Sequence, residues 1–488
     1  MSPSLPFISS MDFVGVLSSP PTFLSLCLKL AHSLINSSYL PFSQRKAIAD
    51  RPTPASFDVH LTTGFFPQQP LPRLTGRFAR WEQALLQANN NLSLGEDESE
   101  EALSKRPFGE AWRSEIASWP ALDTATLHSD LRLCQRAHMV LAWLVHFYVH
   151  SMPRSAEEAA VVPRSLSVPL MAISRHLGFA PVLTFADTVL WNWELINPSQ
   201  PLSVSNIDFL NLFSGTEDER NFYKASAYAE LSGVEILNII DSFQSQPNPS
   251  DFPSISKIAR DLTRLASVID DISEIIQSVR PTCDPHTFYW DIRPWFEGSD
   301  AKGPTDPGWI YEGFEHSEDL DLSGPSAGQS SVMHALDIFL DVDHKLRQRR
   351  FPAPSAENKR ADHGFMERMR RYMPGKHQEY LKHLAASPTS IRELAQSTPA
   401  LREPYDNAVM ALKRLRDNHI RIACLYVVTM SRSTPGAKGG CPASAMIDRL
   451  RAARMAGNGP VRGTGGNELA LLLKAGRDAT RRAILKQT

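Results

Sequence analysis

The feature that most constrains this 488-residue chain is the spacing of its apolar residues, which recur at three and four through the C-terminal half with little period-two alternation. Such spacing lays one apolar stripe along each helix and leaves little from which to build sheets. Residues 221–243 and 255–279 each read as one helix, and residues 403–430 as a longer one. Fully helical, the last would run about 42 Å at ~1.5 Å per residue. Leu127, Leu131, Leu141, Leu144 and Tyr148 mark an earlier helix that stops by Pro153. In 181–193 (PVLTFADTVLWNW), Phe185, Val189 and Trp193 carry helical spacing and are expected to pack centrally. The fold class is therefore mainly α, with at most a small β element in the N-terminal half.

Composition removes several functions. Lys and Arg total 51 against 53 Asp and Glu, a net charge of −2, so no nucleic-acid footprint exists. The five cysteines, Cys27, Cys134, Cys283, Cys424 and Cys441, form no C-x-x-C pair and suit a reducing, cytoplasmic setting. The apolar run 23–35 is too short to span a membrane, is broken by Lys29 and His32, and lacks a basic segment before it. It reads as an amphipathic helix on the body of the protein, so no membrane partner is expected. Residues 349–364 and 431–462 are poor in core residues and read as surface loops.

Few residues suggest chemistry on their own. His419 shares a helical row with Tyr405, Val409, Leu412, Arg416, Ala423 and Tyr426 that faces the interior. A buried imidazole there could ligate a metal, although a lone histidine on a helix is more often a core or surface residue. Arg416 lies one turn earlier, and Asp337, on a helix over 331–340, could neutralise it. GPSAGQSS (324–331) leads into that helix and reads either as an ordinary loop with an N-cap or as an anion-binding turn. GTGG (463–466) lacks the G-K-[ST] ending of a P-loop and suits a closing flap. Phe288, Tyr289, Trp290 and Arg293 could hold the ring and the carboxylate of an aromatic amino acid, or could be an aromatic cluster with a surface arginine. His146 and His150 lie four apart without a third ligand, and neither a G-x-S-x-G elbow nor a dinucleotide fingerprint appears.

Ten segments in order, GFFPQQPL, RWE, LTFADTVLWNW, NFYKASAYAE, TFYWDIR, YEGF, GPSAGQSS, MRRYMP, LRDNHI and GTGG, resemble the indoleamine 2,3-dioxygenase family over about residues 58–488. The resemblance implies a small mixed N-terminal domain over a large all-helical one and leaves 1–57 and 431–462 unassigned; the expected boundaries are an extension over 1–57, the small domain over 58–213 and the large one over 214–488, with 351–364 and 431–462 as mobile loops. One haem b would sit between the domains. It implies that His419 is the iron ligand, with Arg416 and Asp337 the ion pair beside it. Phe222 and Ser226 match the pocket Phe and Ser, Phe288 and Arg293 the substrate-packing Phe and carboxylate-binding Arg, Ser326 and Ala327 the loop at the haem edge, and Thr464 the flap threonine. Phe185 and Thr188 stand where the best-known members carry Tyr and Cys, and Pro325 replaces a Gly, which stiffens that loop and removes an N–H.

The activity implied is insertion of dioxygen across the indole C2–C3 bond of L-tryptophan to give N-formylkynurenine, the first step of the kynurenine pathway, by a monomeric enzyme. Ser226 and Arg293 would act on substrate, within a pocket that also includes Phe185, Thr188, Phe222, Phe288, Ser326, Ala327 and Thr464. The alternatives are a non-catalytic haem oxygen carrier or sensor on the same fold, or a helical scaffold without cofactor.

Overall fold

The protein is described from a computed structural model, in which residues 52–153, 158–299, 301, 306–314, 320–344, 364–434, 461, 463 and 469–485 are described. The chain divides into two units, Met1–Pro52 and Thr53–Thr488, and the second is the subject here. The run 23–35, most of both expected surface loops, and Thr464 lie outside the described residues.

The longer helices are α1 (Ala79–Ala88), α2 (Glu100–Ser118), α3 (Leu131–His150), α4 (Arg164–Leu177), α5 (Glu217–Ser232), α6 (Val234–Gln244), α7 (Phe252–Gln277), α8 (Ser331–Phe339), α9 (Gly375–Ala385), α10 (Ile391–Ser397), α11 (Pro399–Ala423) and α12 (Leu469–Ala483). The class is mainly α, and no helix of the described residues is long and apolar enough to cross a membrane.

Two helices organise the rest. α3 starts where the Asp130 carboxylate accepts the N–H groups of Arg132 and Leu133, and it is buried on every side from Cys134 to Val149. α7 begins at Pro253 in its first turn, capped by Asp251, and buries Ile258, Leu262, Leu265, Ile269 and Ile272 at alternating spacings of four and three. That stripe packs along α11, the most extensive helix contact in the protein. α11 itself buries Leu401, Tyr405, Val409 and Leu412, and each such side chain contributes roughly 1.5–3 kcal/mol relative to exposure. At the end of α11 the chain widens into a π-type turn, Cys424–Thr429, so the long helix reaches close to the expected length.

Three expectations are corrected. Residues 221–243 form two helices that part at Gly233, a position where a β-carbon would overlap the Val332 methyl groups. Residues 181–193 are helical only as a π-type turn, Ala186–Leu190, and Trp193 belongs to β2 (Trp193–Glu194), which pairs antiparallel with β3 (Asp208–Phe209). The β structure also reaches into the second half: β1 (Ala160–Val162) pairs parallel with β4 (Trp309–Tyr311). Gly233→Ala is expected to lower stability by about 2 kcal/mol through overpacking. Gly476→Ala, where a β-carbon meets nothing within 4 Å, is expected to raise it by roughly 0.5 kcal/mol. Urea denaturation of the two variants checks both signs.

Candidate active site

A cavity of about 360 Å³ opens where α5, α11, α12 and the loop before α8 converge, within the size range of small-molecule and cofactor sites. Phe185, Thr188, Phe222, Ser226, Phe288, Arg293, Ser326, Ala327, Arg416 and His419 all border it. The structure thus brings together ten of the residues singled out above, from five stretches of chain. Asp337 stands behind Arg416, and Thr464 is outside the described residues, although Gly463 borders the cavity.

The wall formed by α11 changes character along its length. Tyr405, Val409 and Leu412 are fully buried, whereas His419 and Ala423, on the same row, are only half-buried because they face the cavity. The His419 ring forms no hydrogen bond among the described residues. Burial, and after it the Arg416 cation, hold its pKa below the ordinary histidine range, so at neutral pH the ring is uncharged with a lone pair to offer. A free neutral imidazole bordering an apolar cavity fits a haem iron ligand.

Arg416 is held from two sides. Its Nη2 donates to both oxygens of Asp337 at 2.6 Å, and its Nη1 donates to Thr480 Oγ1 and, at 3.3 Å, to the Gly476 carbonyl of α12. His344 Nε2, a cavity residue, lies 2.8 Å from the second Asp337 oxygen. Burial alone would raise the Asp337 pKa, but the Arg416 charge and then His344 outweigh it and bring it down to about 2.

The remaining walls are aromatic and sparsely polar. The Phe222 and Phe288 rings lie 4.8 Å apart, and Phe222 stacks on Phe296 at 6.2 Å. The Ser226 hydroxyl donates to the Phe222 carbonyl at 3.1 Å, and that of Thr188 to Thr184 at 3.2 Å. Both hydroxyls spend their proton on their own backbone and face the cavity as acceptors. Phe185 and Thr188 are fixed by buried Asp187, which accepts the Thr184 N–H at 2.8 Å and the Thr184 hydroxyl at 2.7 Å. Arg293, on the turn after the π-type segment Phe288–Ile292, donates from Nη1 to Glu297 Oε1 at 2.6 Å and lies over the Tyr289 ring. Arg293 also borders a second, more polar cavity of about 960 Å³, as does Glu297.

Sequence reasoning missed Glu297 and His344. Glu297, four residues after Arg293, was open to an i,i+4 pairing argument; His344 carries no such signal. His146 Nδ1 and His150 Nε2 each lie 2.8 Å from a backbone carbonyl, of Trp295 and Glu297, and among the described residues no group of three potential metal ligands forms around them. In the 324–331 loop, the Ser326 and Ser330 side chains accept the N–H groups of Gly328 and Met333, so the capping reading holds for both.

Because the Asp337 carboxyl is held below its ordinary 3.8, the stability it contributes is full above pH ~4 and is lost as pH falls toward ~2. Asp337→Asn is expected to cost roughly 3 kcal/mol at pH 7, by leaving Arg416 half-buried without its anion, and clearly less at pH 3. Denaturant midpoints at the two pH values check this, and an equal loss at both would contradict it.

The family profile described as Indoleamine 2,3-dioxygenase matches residues 53–483. The chain is 30% identical to indoleamine 2,3-dioxygenase 1 of Rattus norvegicus, over 76% of its own length and 85% of the relative's. It is 28% identical to 6-hydroxytryptophan 2,3-dioxygenase of Fusarium equiseti, over 78% and 86%, and 28% identical to a myoglobin of Haliotis madaka, over 66% and 79%. With the match running from the first turn of the compact unit through α12, the chain belongs to the indoleamine 2,3-dioxygenase family.

Proposed function

We propose that this protein is a haem-dependent dioxygenase that converts L-tryptophan and dioxygen to N-formylkynurenine, the first step of the kynurenine pathway. Family membership supports the coarser part, a dioxygenase acting on tryptophan or a related indole. The observation that carries the finer reading is one cavity bordered by a free neutral imidazole, His419, and by a guanidinium, Arg293, with phenylalanine rings between. A monomeric, cytoplasmic enzyme with a small part over 58–213 and a large helical part over 214–488 belongs to the same proposal.

His419 would hold the iron of haem b, with Arg416 and Asp337 fixing the helix that presents it. A haem held there would supply the redox chemistry that a closed-shell indole needs in order to react with dioxygen. The protein's part is placement. Arg293 pairs with the substrate carboxylate, exchanging Glu297 for it. Phe222 and Phe288 pack on the indole, with Phe185 beside them. Ser226 offers an acceptor lone pair close to the indole N–H. Both oxygen atoms end on C2 and C3 of the indole, the bond between these carbons breaks, and no protein group is left with a proton to remove.

The likeness to a myoglobin favours one other reading, a haem oxygen carrier. Arg293 argues against it, since a carrier has no carboxylate to bind. The likeness to a 6-hydroxytryptophan enzyme points instead at the ring pocket, where Phe185 and Thr188 lie.

A visible spectrum of the haem-supplied protein, followed by L-tryptophan under reducing conditions, tests the proposal: a Soret band and the ultraviolet absorbance of N-formylkynurenine are expected. His419→Ala is expected to abolish the Soret band. Arg293→Ala is expected to keep it while kcat/KM for L-tryptophan falls by about 100-fold, the loss of one charged, bidentate contact. A Soret band without product would favour the carrier, and a haem-replete His419 variant would place the ligand elsewhere.

A further inference from the structure

The cavity walls come from separate parts of the chain: α5 brings Phe222 and Ser226, the loop 325–328 brings Ser326 and Ala327, and the turn after Thr184 brings Phe185. Two buried side chains that do not border the cavity tie these walls together. Gln329 accepts the Phe185 N–H on Oε1 at 2.8 Å and donates from Nε2 to the Gly324 carbonyl at 2.9 Å, closing the loop on itself. Glu230, one turn beyond Ser226 on α5 and only 4% exposed, accepts the Ser330 hydroxyl on Oε1, and the nearby Val332 N–H favours its charged form more weakly. The Ser330 oxygen in turn accepts the Met333 N–H at 3.2 Å and so caps α8. Along α8, one turn and a half further, Asp337 holds Arg416.

A carboxylate is an expensive residue for this place. Its second oxygen, Oε2, has no hydrogen-bond partner, and burial pushes its pKa up to about 7. An apolar side chain of the same volume would pack there at lower cost, whereas a buried polar tie fixes one register between two elements. The tie sits beside the contact of Gly233 with the Val332 side chain, where the end of α5 and α8 meet with room for no β-carbon on the glycine.

We propose that Glu230 is a positioning residue: through Ser330 it sets the separation between the α5 wall, with Phe222 and Ser226, and the loop carrying Ser326 and Ala327, and so sets the width of the cavity. The effect on substrate rests on the reading given under Proposed function; the tie itself does not.

Glu230→Ala, Ser330→Ala, the double variant and Glu230→Gln test this with two readouts. Glutamine is the conservative rescue, since it keeps an oxygen for both donors. Hydrogen exchange of backbone amides in 325–333, followed on the chain as expressed without added haem, is expected to quicken on the order of tenfold in each alanine variant. Exchange in the double variant quickens by less than the product of the two single effects, because the Ser330–Glu230 bond is lost in both; any excess over Glu230→Ala is the Met333 cap that only the Ser330 change removes. Glu230→Gln stays within about twofold of the unmodified protein, and amides along α7 and α11 do not change in any variant. On haem-supplied protein, Glu230→Ala raises KM for L-tryptophan on the order of tenfold with kcat within about threefold, and broadens the C–O stretching band of the ferrous carbon monoxide complex. Glu230→Gln restores both.

Additive exchange in the double variant, acceleration spread evenly into α7 and α11, or a glutamine variant as impaired as alanine would each overturn the positioning role. So would an unchanged KM and C–O band in an active Glu230→Ala enzyme. If exchange behaves as expected but the protein takes no haem or turns over no tryptophan, the functional reading fails and the tie stands. Normal turnover with unchanged exchange overturns the tie and leaves the functional reading standing.

Discussion

The packing of α7 against α11 is the constraint on which the rest depends. Along its first part α11 is buried by α7, and this anchors the helix firmly enough that its second part can border empty space without collapsing into it. A helix that must present an imidazole to a cofactor needs such an arrangement, because a cavity in a protein core is normally filled by relaxation of its walls. The polar ties at the far end, from Asn418 to Ser273 at 3.0 Å and from Arg416 to Asp337 and Thr480, hold the helix where the apolar stripe stops.

How much of this could be read from the chain depends on the distance over which the cause acts. The α7 and α11 stripes follow from local periodicity, and they lie where the spacing of apolar residues puts them. The row that includes His419 was legible for the same reason. The break at Gly233 was not, because a glycine within a helical pattern carries no mark of the Val332 side chain that comes against it from a hundred residues away. Nor was the strand at Trp193, whose partner Phe209 supplies the ladder that overrides a helical spacing. The Arg416–Asp337 pair spans 79 positions: the helix over 331–340 offered Asp337 as a candidate partner for Arg416, and the family resemblance singled that pairing out.

The departures noted in the sequence have local settings in the structure. Phe185 donates its N–H to Gln329, so the ring at this position is fixed through the backbone whatever its para substituent. Thr188, with its hydroxyl proton on Thr184, presents to the cavity a methyl group and an oxygen acceptor. Pro325 lies beside Gly324, whose carbonyl is already taken by Gln329, and a proline there adds stiffness to a segment that the amide has already closed.

The pairing of Arg293 with Glu297 has a consequence for how an amino acid would be received. A guanidinium with a carboxylate of its own chain at 2.6 Å is already desolvated and neutralised, so under the proposed function a substrate carboxylate would arrive as a replacement anion. Such a swap leaves the net charge around Arg293 nearly constant and displaces Glu297 toward the second cavity, which it borders. Affinity is then the small difference between two strong ion pairs. The site gains selectivity among anions of different shape, and it gives up most of the attraction that a bare cation would exert at a distance.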